Sequence, residues 1–317
     1  MKLIRLLCFL YQHPYNRKKP VSALLRFVDW HIRKRLLHRP WTHRVWDSCE
    51  AWFYSDSRES MFLAYNSVMD WSDFLFIKNF LRPGNVVVDV GANIGIYTLW
   101  ASTCLRFQGQ IFAFEPDQVN FDRLGQQIIL NRLDMVHIER QALWNEPGVK
   151  TFTVGKDMEN HIPFNGVEVE DGPEKTVSIK VDSLDNYAKT HHIERIDLIK
   201  VDVEGGEYFV LEGAKNFLSE QKIVSIQLEF NENLGHGNVL GAETVKNYLL
   251  GFGYHLYEFD PGMNTLHPFK LFKGMGQKNL LAIADLSLVQ TLLKEKGTDL
   301  RFGCAPEKNQ LTMKRPS

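Results

Sequence analysis

Apolar residues and chain breakers alternate in a regular order through most of this 317-residue chain. Asp70 to Leu81 carries apolar positions at helical spacing and runs into the breaker Pro83-Gly84. Val86 to Val90 follows as an apolar run interrupted only by Asp89, the pattern of a parallel strand covered on both faces. Helical spacing returns over Asn93 to Leu105 and Gln118 to Asn131, with short apolar strands predicted at Gln110 to Glu115 and Met135 to Arg140. This β-α-β-α-β order predicts right-handed crossovers and an α/β, doubly wound, mostly parallel sheet. Further on, Ile196 to Asp202 and Lys222 to Phe230 read as the fourth and fifth core strands, and Thr176 to Val181 as an added one. A helix over Ala242 to Gly251 and a hairpin-like pair, Tyr254 to Phe259 with Asn279 to Ile283, complete the pattern. Between Asn145 and Gly172 the chain is rich in Gly, Pro, Asp and Asn, which reads as surface loop around a short strand at Lys150 to Val154. Within it His161-Ile-Pro-Phe164 is placed to help cover a substrate. The resulting division is an N-terminal helical extension (1–69), the sheet domain (70–285) and a C-terminal helix and tail (286–317).

The turn after Val90 narrows the ligand. Gly91 allows a sharp turn at the carboxyl end of the strand, where ligands bind in open α/β sheets. A dinucleotide fingerprint starting there would need glycines at 93 and 96, but Asn93 and Ile96 occupy those positions, so no pyrophosphate is expected. Gly91, Gly95 and the preceding Asp89 favour a nucleoside without phosphates, S-adenosylmethionine first, since its sulfonium and amino groups suit nearby carboxylates. Glu115 closes the next strand 20 residues after Gly95 (115 − 95), the separation that brings a ribose-binding acid to the neighbouring strand tip. The competing reading is that Glu115, with Pro116 and Asp117, starts the following helix. Candidate cofactor contacts are therefore Asp89, Gly91, Ala92, Asn93, Gly95, Tyr97, Thr98, Glu115, Pro116 and Asp202, with Ala142 and Leu143 beside an adenine ring or in the core.

A second block, Lys200-Val-Asp202-Val-Glu204-Gly-Gly-Glu207, closes the fourth core strand and carries the candidate chemistry. Transfer of a methyl group from such a cofactor to an acceptor needs in-line geometry at about 3 Å and removal of the acceptor's proton, so positioning supplies much of the acceleration. Strand alternation would point Lys200, Asp202 and Glu204 the same way, and clustered acids raise one another's proton affinity toward that of a working base. Against this, Lys200 could simply pair with an acid, and Glu207 could cap the next helix. Glu229 and His236 follow the fifth strand as further acceptor-site candidates, although a loop histidine such as His236 or His161 is commonly only a solvated residue. Asp182 and Asp185 read as caps of the following helix. No dedicated metal-loop spacing is present, and no metal is expected.

Asp89-Val-Gly-Ala-Asn-Ile-Gly with Tyr97-Thr98, Phe114-Glu-Pro116, Ile199-Lys-Val-Asp-Val-Glu-Gly-Gly-Glu207 and Val210-Leu-Glu-Gly-Ala214 together resemble the FkbM family of S-adenosylmethionine-dependent methyltransferases. The later block is the specific one, and the resemblance runs from about Asp70 to Asp285. It implies a seven-stranded Rossmann-like methyltransferase sheet and O-methylation of a sugar, glycolipid or secondary-metabolite hydroxyl, a small-molecule or glycan acceptor. Two other classes stand beside it, a methyltransferase acting on nitrogen or nucleic acid and a non-catalytic nucleoside-binding module. The Asn/Asp-Pro-aromatic-aromatic tetrapeptide of amino-group methylases is absent, and a dead module would be expected to lose the acids that this chain keeps at 89, 115, 202 and 204.

Charge changes the picture at one end only. The net charge of −1 argues against a nucleic-acid partner, which would need a basic surplus. Residues 1–50 nevertheless hold eleven Lys and Arg against three Asp and Glu, a surplus of 11 − 3 = +8. Val21, Leu24, Leu25, Val28, Ile32 and Leu36 form an apolar stripe at helical spacing in this arm. One reading packs the stripe on the sheet domain; the other uses it, with the first ten residues and Trp30, Trp41 and Trp46, for peripheral contact at the inner membrane face. Met1 to Leu10 is broken by Arg5 and followed by no small-residue cleavage site, and no stretch approaches the ~20 apolar residues of a membrane span. Four scattered cysteines without metal or redox spacing suit reduced thiols in the cytoplasm.

Overall fold

The computed structural model describes residues 10–46, 49–154, 160–162, 175–231, 241–272 and 276–297. Its strands in chain order are β1 (Trp41–Trp46), β2 (Cys49–Phe53), β3 (Val86–Val90), β4 (Gln110–Phe114), β5 (Val136–Glu139), β6 (Ala142–Leu143) and β7 (Gly148–Val154). They continue with β8 (Lys175–Asp182), β9 (Ile196–Val201), β10 (Ile223–Asn231), β11 (His255–Asp260), β12 (Thr265–Pro268) and β13 (Gln277–Ile283). The main sheet runs β12-β11-β13-β10-β9-β3-β4-β5. Its core, β10-β9-β3-β4-β5, is parallel, whereas β13 enters antiparallel between β10 and β11.

This is the expected doubly wound α/β sheet with one strand more than the seven anticipated. The extra strand, β12, forms because Asp260 Oδ1 accepts hydrogen bonds from the backbone N–H of Gly262 (2.7 Å) and Met263 (3.2 Å), turning the chain back along β11. The added strand expected at Thr176 to Val181 is present as β8, which pairs with β6 and β7 in a separate three-stranded sheet.

Alternation along β3 explains the two layers. Val87 enters a core with Phe74, Leu75, Leu99 and Trp100, while Val88 and Val90 face the opposite core with Leu184, Tyr187, Val210 and Leu249. Each such fully buried aliphatic side chain contributes about 1.5–3 kcal/mol, so a charge at Val88 would lose that term and add the cost of an unpaired buried ion. Helices Trp71–Phe80 and Ile96–Cys104 cover one face; Leu184–Thr190, Glu207–Glu212 and Ala242–Gly251 cover the other.

The extension is not purely helical. Helices Pro14–Lys18, Pro20–Leu36 and Arg58–Asn66 flank the antiparallel hairpin β1-β2, which no sequence pattern announced. Two amides of helix Gln118–Asn131 satisfy the hairpin's open edge. The Gln127 side chain accepts from Trp52 N (2.8 Å) and donates to Trp52 O (3.0 Å), and Asn131 does the same for Glu50 at 2.9 and 2.8 Å. Trp30, Trp41 and Trp46 are buried, so the membrane reading loses them. Trp46 packs on Trp100 with ring centroids 4.8 Å apart, and its indole N–H donates to Ser67 O at 3.1 Å. The packing reading of the stripe fails too, because helix Pro20–Leu36 docks through Ala23, Phe27 and Trp30 and leaves the stripe in solvent. No helix among the described residues is long and apolar enough to cross a membrane.

Candidate active site

The glycine turn brings three strand tips together. Gly91 (φ 79°), Asn93 (φ 50°) and Gly95 (φ 90°) are all left-handed, which lets the chain double back before helix Ile96–Cys104. At Gly91 an added Cβ would lie 1.9 Å from the Asp202 carbonyl oxygen, so only glycine lets the turn meet the end of β9. The turn is tied to β4 by Gly91 N–H and Ala92 N–H, both donating to Phe114 O at 3.0 Å.

Glu115 stands at the tip of β4, buried, with one carboxylate oxygen accepting Asn93 N–H and the other Asp117 N–H, each at 2.8 Å. Burial pushes its pKa up to about 8, against the pull of those two hydrogen bonds. The next helix is capped by Asp117, which accepts from Asn120 N at 2.9 Å, so Glu115 does not start that helix.

Between these tips lies a cleft of about 600 Å³, open to solvent. Of the cofactor candidates, Gly91, Asn93, Glu115, Pro116, Ala142, Leu143 and Asp202 line it. Asp89, Ala92, Gly95, Tyr97 and Thr98 do not. Asp89 instead faces the interior, where Oδ2 accepts the Thr98 hydroxyl at 2.6 Å and burial raises its pKa. Gly95 is pressed against Leu124, and Tyr97 points to the other side of the strand tips. Asn120, Trp144, Phe152, Asn160, Ile162, Val203 and Glu204 also line the cleft, with Val90 and Phe114 from the strand ends. Trp144 is legible as the end of Gln141-Ala-Leu-Trp144 and Phe152 lies in the short strand expected at Lys150 to Val154, part of β7, whereas Asn160 and Ile162 come from the segment read as loop.

These residues suit a nucleoside. Each Glu115 carboxylate oxygen accepts only one backbone N–H and keeps a lone pair for a ribose hydroxyl donor, and Ala142, Leu143, Phe152 and Ile162 offer an apolar wall for a flat base. Asn160 and Ile162 approach this wall because Thr153 N–H donates to His161 O and His161 N–H donates to Thr153 Oγ1, each at 2.9 Å. Pro163 and Phe164 lie outside the described residues, as does His236.

Beyond Asp202 the surroundings become acidic. Lys200 and Asp202 form an ion pair at 2.7 Å, and the Lys200 ammonium sits 4.4 Å from the Tyr97 ring centroid. Burial alone would lower the Lys200 pKa, but Asp202 and Asp89 outweigh it and hold the ammonium charged. Glu204 does not share this face through strand alternation, because β9 ends at Val201 and Glu204 sits in a left-handed turn at φ 51°. It still reaches the same place: carboxylate oxygens of Asp202, Glu204 and Glu229 all lie within 4.8 Å of one another. Such a set could orient a hydroxyl or hold a divalent cation. Glu229 accepts from the Gln277 side chain, and burial together with Asp202 pushes its pKa up to about 7. Glu207 is buried and accepts the Gly205 N–H at 3.1 Å, a role within its own turn. Ser183 caps helix Leu184–Thr190, Asp182 accepts from Ser183 N at 2.8 Å, and Asp185 bonds Asn216 N–H at 2.8 Å.

Sequence reasoning missed the far wall of this patch. Tyr97 donates its hydroxyl to Asp70 Oδ2 at 2.8 Å, and the Asn279 amide donates to Asp73. Burial, then the neighbouring Asp70, pushes the Asp73 pKa up to about 7. Asp70 is raised in the same direction but keeps exposed surface, so Asp73 is the firmer case. No local motif links 70, 73, 97 and 279; only the sheet topology does.

Residues 89–256, just over half the chain, match the Methyltransferase FkbM domain family. Among curated proteins, the chain is 30% identical over 144 residues to the hexuronic acid methyltransferase AglP of Haloferax volcanii, covering 45% of this chain and 56% of that protein. It is 29% identical over 164 residues to the 31-O-demethyl-FK506 methyltransferase FkbM of Streptomyces tacrolimicus (43% and 62% covered). The 2-O-methyltransferase NoeI of Sinorhizobium fredii is 26% identical over 163 residues (45% and 63%). The chain thus spans less than two thirds of each of these relatives. A solved structure, methyltransferase FkbM from Methylobacillus flagellatus, superposes with TM-score 0.42 at 17% identity, covering 64% of this chain and 44% of that one. By its family match the chain belongs to the FkbM methyltransferase domain family, an S-adenosylmethionine-dependent class.

Proposed function

We propose that this chain is an S-adenosylmethionine-dependent O-methyltransferase acting on a hydroxyl of a sugar, glycolipid or secondary metabolite. The observation that carries the reading is the meeting of the cleft with the acid cluster. Asp202 and Glu204 line the cleft, and their carboxylates lie within 4.8 Å of that of Glu229. S-adenosylmethionine held in the cleft supplies an electrophilic methyl group on its sulfonium. Glu115 and Asn93 would hold the ribose, Ala142 and Leu143 the adenine. Asp202, ion-paired with Lys200, orients the acceptor hydroxyl, and Glu229, poised near pH 7, takes its proton as the new C–O bond forms and the C–S bond breaks. A carboxylate-rich, amide-lined wall with a tyrosine hydroxyl suits vicinal hydroxyls, and two of the curated relatives are named for a hexuronic acid and a 2-O-methylation. The net charge of −1 offers little to a nucleic-acid acceptor. The unbridged thiols of Cys49 and Cys104 support a cytoplasmic setting.

The test is transfer from methyl-labelled S-adenosylmethionine into fractionated glycans, glycolipids and small metabolites, read by mass spectrometry for one added methylene on oxygen. Labelled hydroxyl products that disappear in Asp202→Asn support the assignment. Label found only on amines or nucleic acid, or cofactor binding with no transfer to any fraction, overturns it.

A further inference from the structure

The apolar stripe of helix Pro20–Leu36 is turned away from the protein. Val21 is 71% exposed, Leu25 63%, Ile32 50% and Leu36 72%, with Leu24 and Val28 above 40%. The opposite face carries Ala23, Phe27 and Trp30 into the core, and the Arg26 guanidinium donates to Tyr65 O and Asn16 Oδ1. The helix is therefore fixed in position with its apolar side outward, a costly arrangement for a surface that meets only water. Cations border the stripe. Between Arg17 and Arg39 there are eight Lys and Arg and a single acid, Asp29, a net charge of 8 − 1 = +7. Arg17, Lys18 and Lys19 stand before the helix, and Lys34, Arg35 and Arg39 at its end are exposed, with no ion-pair partner among the described residues. A cleft of about 450 Å³ opens along the Arg26–Asp29–Trp30 flank, and the hairpin contributes His43 and Arg44 to it.

We infer that this helix lies flat on an anionic phospholipid surface, its apolar stripe sunk among the acyl chains and its arginines and lysines at the headgroups. An outward apolar stripe with cations at both ends and a fixed inward face is the pattern of an in-plane interfacial helix. A second copy of the chain is the poorer occupant. A two-fold contact through this face would set two +7 borders against each other, whereas an anionic bilayer neutralises one. The inference is independent of the acceptor's identity. It places the enzyme at a membrane whether or not its substrate is a lipid.

The experiment is co-sedimentation of the full chain with phosphatidylcholine vesicles, with and without phosphatidylglycerol, at low and high salt. Sedimentation with the anionic vesicles only, weakened by salt, is expected. The double variant Leu25→Gln/Ile32→Gln removes apolar area without changing charge and should lower the bound fraction roughly tenfold or more, and Lys34→Gln/Arg35→Gln should lower it less and flatten the salt dependence. All four side chains are exposed, so circular dichroism and S-adenosylmethionine affinity should match wild type. Failure of wild type to sediment with anionic vesicles at low salt overturns the inference, as does equal sedimentation of Leu25→Gln/Ile32→Gln. A wild-type dimer that this double variant dissociates, without vesicle binding by either protein, assigns the face to a second copy instead.

Discussion

The two sides of the strand tips are built by different means. On the cleft side, the geometry comes from backbone: three left-handed residues in a row of five, amide donors aimed at Phe114 O and at Glu115, and a wall of small and apolar side chains. On the far side it comes from charge balance among side chains of separate segments, Asp70 and Asp73, Lys200 and Asp202, Glu204, Glu229 and Asn279. A backbone-built site tolerates little change in shape. A charge-built site tolerates shape changes but responds steeply to the loss of one proton acceptor.

The largest effect should therefore follow from neutralising the acids. Asp202→Asn or Glu229→Gln is expected to lower kcat by ~10²–10⁴ with S-adenosylmethionine affinity nearly intact. The pH profile separates the two roles. A base must be unprotonated to act, and the Glu229 carboxyl holds its proton up to about pH 7, so the wild-type rate should climb through that value. Glu229→Gln should lose this limb, whereas Asp202→Asn should keep it at a lower height and shifted to lower pH, because the Asp202 charge helps hold the Glu229 carboxyl protonated. The same limb in both variants would move the base elsewhere.

What could be read from the chain follows the same divide. Gly91, Asn93 and Glu115 are legible because the cleft side is nearly contiguous in sequence and each turn residue has a local reason for its type. Asp70, Asp73 and Asn279 are not, since only the order β3-β9-β10-β13 and the packing of helix Trp71–Phe80 on that sheet bring them to Lys200. The strand pattern failed in small ways with local causes: an Asx turn at Asp260 adds β12, and amides of a distant helix pay the edge of the β1-β2 hairpin. Helix Pro20–Leu36 is the instructive error. Its period is legible, but Ala23, Phe27 and Trp30, three positions with two aromatic anchors, win the core against a wider aliphatic stripe.

The cleft side should break by shape. Gly91→Ala must move its Cβ out of a 1.9 Å contact with the Asp202 carbonyl at a left-handed φ of 79°, which costs about 2–5 kcal/mol in strain and repacking. Chemical denaturation should show that loss, together with weaker S-adenosylmethionine binding. Unchanged stability would mean that the turn relaxes freely. Glu115→Ala is gentler, weakening the cofactor by about 1.5–3 kcal/mol, or roughly ten- to a hundredfold. Titration calorimetry on the folded variant decides it, and wild-type affinity would remove Glu115 from the ribose.

The smallest effect tests whether the far side is strained by its own charge. Asp73 has a folded pKa near 7 against an ordinary value of 3.8, so between those pH values the folded state keeps a proton that the unfolded chain has released. Stability must then fall as pH rises from about 4 toward 7, the reverse of an ion-paired aspartate, and above 7 the full penalty stands. Glu207 and Glu229, both raised to about 7, and Glu115, raised to about 8, add slopes of the same sign. Asp73→Asn keeps an oxygen for the Asn279 amide and removes the titration. Its unfolding free energy at pH 8, read by chemical denaturation, should equal or exceed that of wild type by an amount on the order of 1 kcal/mol, since Asp73 keeps some solvent contact, and the advantage should vanish near pH 5. A variant less stable than wild type at pH 8 would mean that the ionised carboxylate is held by its neighbours, and that the patch is balanced rather than strained.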